Sequence, residues 1–319
     1  MRNYHLALGI LLFILIGCSL MLGASRDFSW EGLLKGDSAT WLVFSASRLP
    51  RTVSILLAGS SMAVAGLLMQ SVMQNHFAAP STVGTIESAQ LGLLLSLFVF
   101  PSATLFQKMA FAFVVSLLLT MLFLRLINRL QLKERWLLPL VGLVYSGMIG
   151  SLASILAYHF NLVQSFSSWL QGSFSMIQTN QYEWLFLNLI ILVVTWRFSA
   201  SFSLMGLGED SSKVLGLDYR KYEWLAIVLV ALTTSVTAIT VGSLPFLGVV
   251  VPNVVRLYSG DYLGRTIGLV ALVGALLVLV CDCLARIIIA PYELSVSLIL
   301  GIIGSGAFVL LLWKGGAYD

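Results

Sequence analysis

Charge is the scarcest property of this chain. Only 10% of its 319 residues are Asp, Glu, Lys or Arg, where a soluble domain carries about a quarter. That excludes an ordinary soluble globular protein. Cysteine is almost as rare. Cys18, Cys281 and Cys283 all fall inside apolar runs, and the last two are two residues apart, a spacing that points them to different sides of a helix. A disulfide framework and a thiolate metal site are both disfavoured. His5, His76 and His159 stand singly, without metal-ligand spacing. The sequence has no nucleotide-binding loop, no nucleophile elbow and no pair of catalytic carboxylates. It is expected to bind no cofactor and no metal, and an intramembrane enzyme is disfavoured. If ATP drives this protein, a separate chain hydrolyses it.

What remains is hydrophobic: 59% of the residues, with a mean hydropathy of +0.96. Ten apolar runs are near the ~20 residues that span a bilayer: 6–23, 52–73, 82–100, 106–127, 137–157, 182–199, 223–242, 244–257, 265–286 and 292–313. The fold class expected is all-α and polytopic, one transmembrane domain over residues 1–319. The eighth run is short and holds Pro245 and Pro252, which predicts a broken or partly re-entrant segment. Leu15-Ile16-Gly17-Cys18 resembles a lipoprotein cleavage site, but the apolar run continues through Leu22 and nine more follow, so the first run reads as an uncleaved span. Placing both termini in the cytoplasm puts 12 of the 18 Lys and Arg inside and 6 outside, as the inside-positive rule requires. The net charge of +4 follows from this topology and does not point to nucleic acid.

On that map residues 207–217, Leu-Gly-Glu-Asp-Ser-Ser-Lys-Val-Leu-Gly-Leu, form a cytoplasmic island between two apolar runs. Val214 and Leu217 recur at i, i+3. Glu209 through Lys213 supply a polar side, and Gly208 and Gly216 punctuate the ends. The island is either a plain interfacial loop helix or a docking element for a soluble partner.

Arg48-Leu-Pro-Arg51 and Arg286 lie at outer ends of spans, against the charge rule. They either snorkel to lipid phosphates or form a cationic patch for an acidic partner. Asp282, one turn from Arg286, is expected to pair with it. Glu87 has no local cation. It belongs to Gly84-Thr-Ile-Glu-Ser-Ala-Gln90, which either packs with Glu87 neutral or faces a water-filled pathway. Pro80 and Gly84 imply a shaped turn on the cytoplasmic side. Trp169 suits an outer interfacial segment over 167–174. Gly301, Gly304, Ser305 and Gly306 suit close helix packing.

In order and spacing, five motifs resemble the permease family of bacterial ABC importers for iron–siderophore chelates, haem and cobalamin. They are Arg48-Leu-Pro-Arg51, Gln74-Asn75…Pro80…Gly84, Leu207-Gly-Glu…Leu215-Gly-Leu217, Pro245-Phe-Leu-Gly-Val-Val-Val-Pro252 and Asp282-Cys-Leu-Ala-Arg286…Glu293-Leu. The resemblance implies a type II importer permease of the bacterial cytoplasmic membrane, working as a dimer. Its partners would be two ATPase subunits that hold ATP and Mg, a second permease that is a homologous chain or a second copy, and an extracytoplasmic substrate-binding protein. The cargo would be a ferric siderophore. The loop 203–222 would carry the coupling helices, with Leu207, Gly208, Glu209, Leu215, Gly216 and Leu217 on the ATPase. Arg48, Arg51 and Arg286 would receive glutamates of the binding protein.

The chain departs from the family where Thr85-Ile-Glu-Ser-Ala replaces a Gly-rich run and Asn253 replaces a histidine. Both changes touch expected pathway regions, with Glu87, Gln90 and Asn253 as candidates. Phe77, Thr85 and Gly301-Ile-Ile-Gly-Ser-Gly306 resemble the catecholate-siderophore branch, in which two different permeases commonly pair. The competing reading is an ion-coupled secondary transporter with Glu87 as the coupling site.

Overall fold

The computed structural model describes residues 2–22, 32–33, 35–130, 137–175, 177, 181–290 and 292–315. Arg26, Lys133 and Arg135 of the charge count lie outside the described residues. Regular structure among the described residues is helical. The helices are α1 (Arg2–Met21), α2 (Ser38–Val43), α3 (Leu49–Met73), α4 (Thr85–Val99), α5 (Leu105–Leu130), α6 (Leu137–His159) and α7 (Val163–Leu170). They continue as α8 (Leu189–Arg197), α9 (Ser199–Met205), α10 (Glu209–Val214), α11 (Tyr219–Thr240), α12 (Leu247–Ser259), α13 (Leu263–Ile287) and α14 (Val296–Gly315).

Among the described residues, five helical stretches are long and apolar enough to cross a bilayer: Ser38–Met73, Leu105–Arg129, Leu137–His159, Tyr219–Thr240 and Leu263–Ile287. A sixth is a bent pair, Tyr182–Arg197 followed by Ser199–Met205 at 75°. Four shorter apolar helices, Leu6–Met21, Thr85–Val99, Leu247–Ser259 and Val296–Leu311, bring the set to the ten expected. The expected irregularity at the eighth run is present. Helix α12 has 13 residues, Pro252 lies inside it, and residues 241–246 ahead of it are not regular helix. The sharp bend after Arg197 was not legible, because no proline or glycine marks Trp196-Arg-Phe-Ser199.

Helix α3 is the central post. Every residue from Ala58 to Met73 is buried, which an all-round apolar and small-residue surface requires. Its glycines set the approach distances. A Cβ on Gly59 would stand 2.8 Å from the Gly274 carbonyl oxygen of α13, and one on Gly66 would stand 2.1 Å from that of Gly248 in α12. Lipid tails are as apolar as leucine, so membrane helices associate through such close backbone contact. On α14 the outcome differs from expectation. Gly304 packs against Phe246, while Gly301 and Gly306 meet nothing within 4 Å and Ser305 is exposed.

Irregular backbone at bilayer depth is tolerated only inside protein. The segment 241–246 is sheltered in this way, and so is the 78–80 part of the cytoplasmic turn, although His76 ahead of it is exposed. Ala78 and Ala79 are fully buried, and Val241 and Leu244 are 4% and 2% exposed. Their polar groups close locally, with Thr85 N–H donating to Pro80 O at 3.0 Å and Ser173 N–H to Val241 O at 2.9 Å.

Candidate functional site

The 207–217 island folds as a helix whose polar residues Glu209, Asp210, Ser211 and Lys213 are exposed as expected, with two departures. Helix α10 is six residues long, and Gly208 and Gly216 at its ends take φ of +102° and +81°. L side chains rarely adopt such backbone, so the two glycines define the turns. Ser212, expected on the wet side, is fully buried and its hydroxyl donates to Leu204 O at 2.6 Å. Val214, expected on the apolar side, is 87% exposed, beside Leu207 at 59% and Leu215 at 57%. Leu217 does pack against the core. Glu209 bonds Lys213 at 2.6 Å across one turn, and that hydrogen bond holds its carboxyl below the usual range. The loop therefore presents three apolar side chains outward from a rigid base. Asp218 closes it by accepting from Lys221 N–H at the start of α11.

Glu87 and Gln90 are brought together, one turn apart on α4. They line a groove of about 500 Å³ with Gly150, Ser151 and Ser154 of α6 and Phe166 of α7. The Glu87 side chain forms part of this lining. Its Oε2 is buried with no hydrogen-bond partner among the described residues. Gln90 Nε2 donates to Trp169 O at 3.3 Å, which ties the expected outer segment to the groove wall. Asn253 is not in this groove. Its Nδ2 donates to His76 O at 2.7 Å and to Val249 O at 2.8 Å, holding the 74–84 turn against α12.

Arg256, which the sequence did not single out, completes that latch. Its guanidinium reaches Gln70 Oε1 at 3.2 Å, Asn253 Oδ1 at 3.2 Å and Asp261 at 2.5 Å, and bonds His76 Nδ1. Hydrogen bonds to charged groups contribute about 1.5–3 kcal/mol each. Arg256→Ala is therefore expected to speed amide exchange of residues 74–79 by ~10- to 100-fold, at 1.36 kcal/mol per decade. Unchanged exchange there would show that packing alone holds the turn. Partial burial beside Arg256 pushes the His76 imidazole below the ordinary histidine range. Its neutral Nδ1 accepts in the latch, so the contact is complete above about pH 6.5 and weakens as pH falls further. A His76→Gln variant should lose that acid sensitivity in the same exchange measurement.

The outer arginines converge inward. Arg48 donates to Met21 O at 2.9 Å and also bonds Leu20 O. Arg286 donates to Ser19 O and Leu22 O, both at 2.9 Å. Ser19, Leu20 and Met21 carry the last carbonyls of α1 and Leu22 follows it; carbonyls at a helix C-terminus lack a helical partner and attract cations. Asp282 is fully buried. It pairs with Arg286, as expected, and also with Arg51 at 2.8 Å. Arg51 in turn holds Glu293 at 2.9 Å. A π-helical turn over Phe44–Arg48 joins α2 to α3 ahead of this network, and Arg48 at its end is 6% exposed. Neither a free cationic patch nor snorkelling describes these side chains. They fasten α1 and the segment before α14 to α3 and α13.

Comparison with known proteins follows the same architecture. A petrobactin import system permease protein of Bacillus subtilis is 42% identical over 309 residues, covering 97% of this chain and 98% of that protein. A ferric-anguibactin transport system permease protein of Vibrio anguillarum is 36% identical over 303 residues, covering 95% of this chain and 96% of the relative. Among solved structures, one described as an inward-facing conformation of a metal-chelate type ABC transporter superposes with a TM-score of 0.80 at 25% identity. It covers 98% of this chain and 100% of that one. The PsaBC structure from Streptococcus pneumoniae, with a TM-score of 0.62 and 15% identity, shares the fold. The FecCD transport family model matches residues 11–314, and the chain, a multi-pass helical membrane permease, belongs to that family.

Proposed function

We propose that this chain is the transmembrane permease subunit of an ATP-driven importer that carries iron(III)–siderophore complexes across the cytoplasmic membrane. The observation that carries the ATP-driven part is the outward apolar triad Leu207, Val214 and Leu215 on a loop whose base is locked by Ser212. A loop that merely reversed the chain would bury such side chains or replace them with polar ones. Here they await a soluble partner. That partner is an ATPase subunit, which supplies the ATP and Mg chemistry this sequence does not encode. The siderophore reading comes from the named relatives, whose lengths this chain matches almost completely. A second permease, one ATPase per permease and an extracytoplasmic binding protein complete the complex. Arg48, Arg51 and Arg286 serve the outer face by holding the frame on which a binding protein would dock.

Val214→Glu tests the reading. It alters no internal contact of a side chain that is 87% exposed, so the permease should still fold. It should cut co-purification with the ATPase and siderophore-dependent iron uptake by at least tenfold. Gly208→Val and Gly216→Val force β-branched residues into left-handed backbone and should uncouple ATP hydrolysis from uptake. Full uptake in all three variants would make the loop a simple connector.

A further inference from the structure

The 207–217 loop and the Arg256 latch come from different parts of the sequence, yet contacts join them on two sides. On the first side Gly208 lies against Gln74. A Cβ at Gly208 would stand 3.2 Å from Gln74 Oε1, 3.4 Å from Nε2 and 3.5 Å from Cδ, so the carboxamide occupies the space a side chain there would need. Gln74 ends α3 in left-handed backbone, with φ +48° and ψ +36°, and its N–H donates to Gln70 O. Such backbone is uncommon outside glycine, asparagine and aspartate. A residue held in it persists where its surroundings over-determine it. Gln70, one turn back, accepts from Arg256, and His76, two residues on, bonds the same guanidinium. On the second side Ser203 of α9 accepts from Leu263 N–H at 3.0 Å. Leu263 opens α13, and Tyr262 before it gives no side-chain cap. The Ser203 hydroxyl therefore satisfies one of the donors that the first turn of a helix leaves without a partner. Asp261, two residues ahead of Leu263, is the carboxylate that pairs with Arg256.

These contacts close a ring. Arg256 joins His76 to Asp261, Gln74 carries the His76 side to Gly208, and Ser203 carries the Asp261 side back to the same loop. The stretch from Ser203 to Gly208 has little slack, since Leu207 N–H donates to Leu204 O at 3.0 Å and Gly208 N–H to Met205 O at 3.1 Å. We infer that Gln74 and Ser203 are positioning residues that couple the 207–217 loop to the Arg256 latch, so that a partner seated on the loop tightens the hold of α12 on the 74–79 turn. The inference rests on the import reading for the partner and adds which side chains carry its effect inward. The direction follows from ordering. The apolar triad of the loop is exposed in the permease alone. A partner that covers it removes freedom from the loop, and a ring fixed along one side opens less readily. Coupling between two sites is reciprocal and typically about 5- to 150-fold, so loosening the latch must also loosen the loop.

The first measurement is hydrogen exchange of the purified permease in detergent, read at the Ser212, Leu215, Gly216 and Leu217 amides, each bonded within the loop. Gln70, His76, Asn253 and Asp261, which hold Arg256, all lie outside the loop. Arg256→Ala should nevertheless speed the loop amides by about tenfold. The Gln74→Asn, Ser203→Ala double variant cuts both arms of the ring. Asparagine tolerates left-handed backbone but is a methylene too short to reach Gly208, and alanine offers Leu263 no hydroxyl. On that background Arg256→Ala should change loop exchange by less than about twofold. Gln74→Met with Ser203→Ala keeps the reach of the first arm and should keep a response of about threefold or more, which a general loss of stability would not restore. Loop amides indifferent to Arg256→Ala, or a full response with both arms cut, would overturn the inference. The second measurement adds the ATPase subunit by co-expression. Its docking should slow exchange of residues 74–79 by about tenfold in the wild-type complex and not in the double variant. Docking without that slowing would overturn the inference while leaving the import reading intact. A wild-type loop that binds no ATPase would instead defeat the import reading, and this inference with it.

Discussion

Asp282→Ala should abolish accumulation of folded protein or lower its melting temperature sharply. Asp282 is fully buried and is the shared counter-ion of Arg51 and Arg286. Removing it leaves Arg286 in the interior without a counter-ion and Arg51 with Glu293 alone. Breaking a buried pair by deleting one partner costs about 3–5 kcal/mol, and here one deletion breaks two. The remaining acid cannot substitute, since Glu293 already engages the other edge of Arg51 and is more exposed. Glu293→Ala provides the contrast. That pair lies nearer solvent, where ion pairs contribute about 0–1 kcal/mol, so its loss should shift stability little. Replacing Asp282, Arg51 and Arg286 together by Leu, Met and Met should recover part of the deficit, because an apolar triad avoids the desolvation cost. Thermal unfolding of the purified protein in detergent, monitored by monodispersity, distinguishes the three variants. Parent-like stability in Asp282→Ala would mean that water reaches both arginines and that the network is not a fastening.

Gly66→Ala should be nearly as damaging, although it adds a single methyl. The new Cβ would stand 2.1 Å from the Gly248 carbonyl oxygen and 2.2 Å from its Cα. Both obstacles are backbone, so no side-chain rotation relieves them. Helices α3 and α12 must part, which also disturbs Pro80 and Ala79 packed against Gly248. Overpacking typically costs ~1–3 kcal/mol and sometimes more, and a backbone-to-backbone clash belongs at the top of that range. Gly147→Ala is the control, since nothing lies within 4 Å of its Cβ position. Its stability should match the parent. A Gly66→Ala protein that melts with the control would show that the α3–α12 contact yields without cost.

Much of the architecture was legible in the residues, because a bilayer imposes a strong and simple pattern. Ten apolar runs near the length of the hydrocarbon core predict ten helical segments, and the prolines at 245 and 252 predict the irregular entry to α12. The Asp282–Arg286 pair also follows from i, i+4 spacing. Gly208 and Gly216 mark turns that left-handed backbone confirms. Each of these depends on neighbours in the chain, which is the information a sequence carries directly.

The contacts between distant residues had no such signal. Arg48 and Arg286 look like free outer cations until α1 brings its terminal carbonyls to them, across 27 residues of chain for Arg48 and 267 for Arg286. Asn253 reads as a pathway residue, yet the fold sets it against His76, 177 positions away. Gly59, Gly66, Gly248 and Gly274 are unremarkable among 27 glycines until two backbones meet at each. In the 207–217 loop, periodicity identified a helix and placed Glu209, Asp210, Ser211, Lys213 and Leu217, but missed the burial of Ser212 and the exposure of Val214. A short helix seated on Leu204 buries whichever side its base requires. Local spacing thus determined the ten apolar helical runs and the glycine- and proline-marked turns, but not the bend after Arg197. Which charges are paired, which glycines touch and which loop face is exposed were decided by packing, since those depend on what the rest of the chain places nearby.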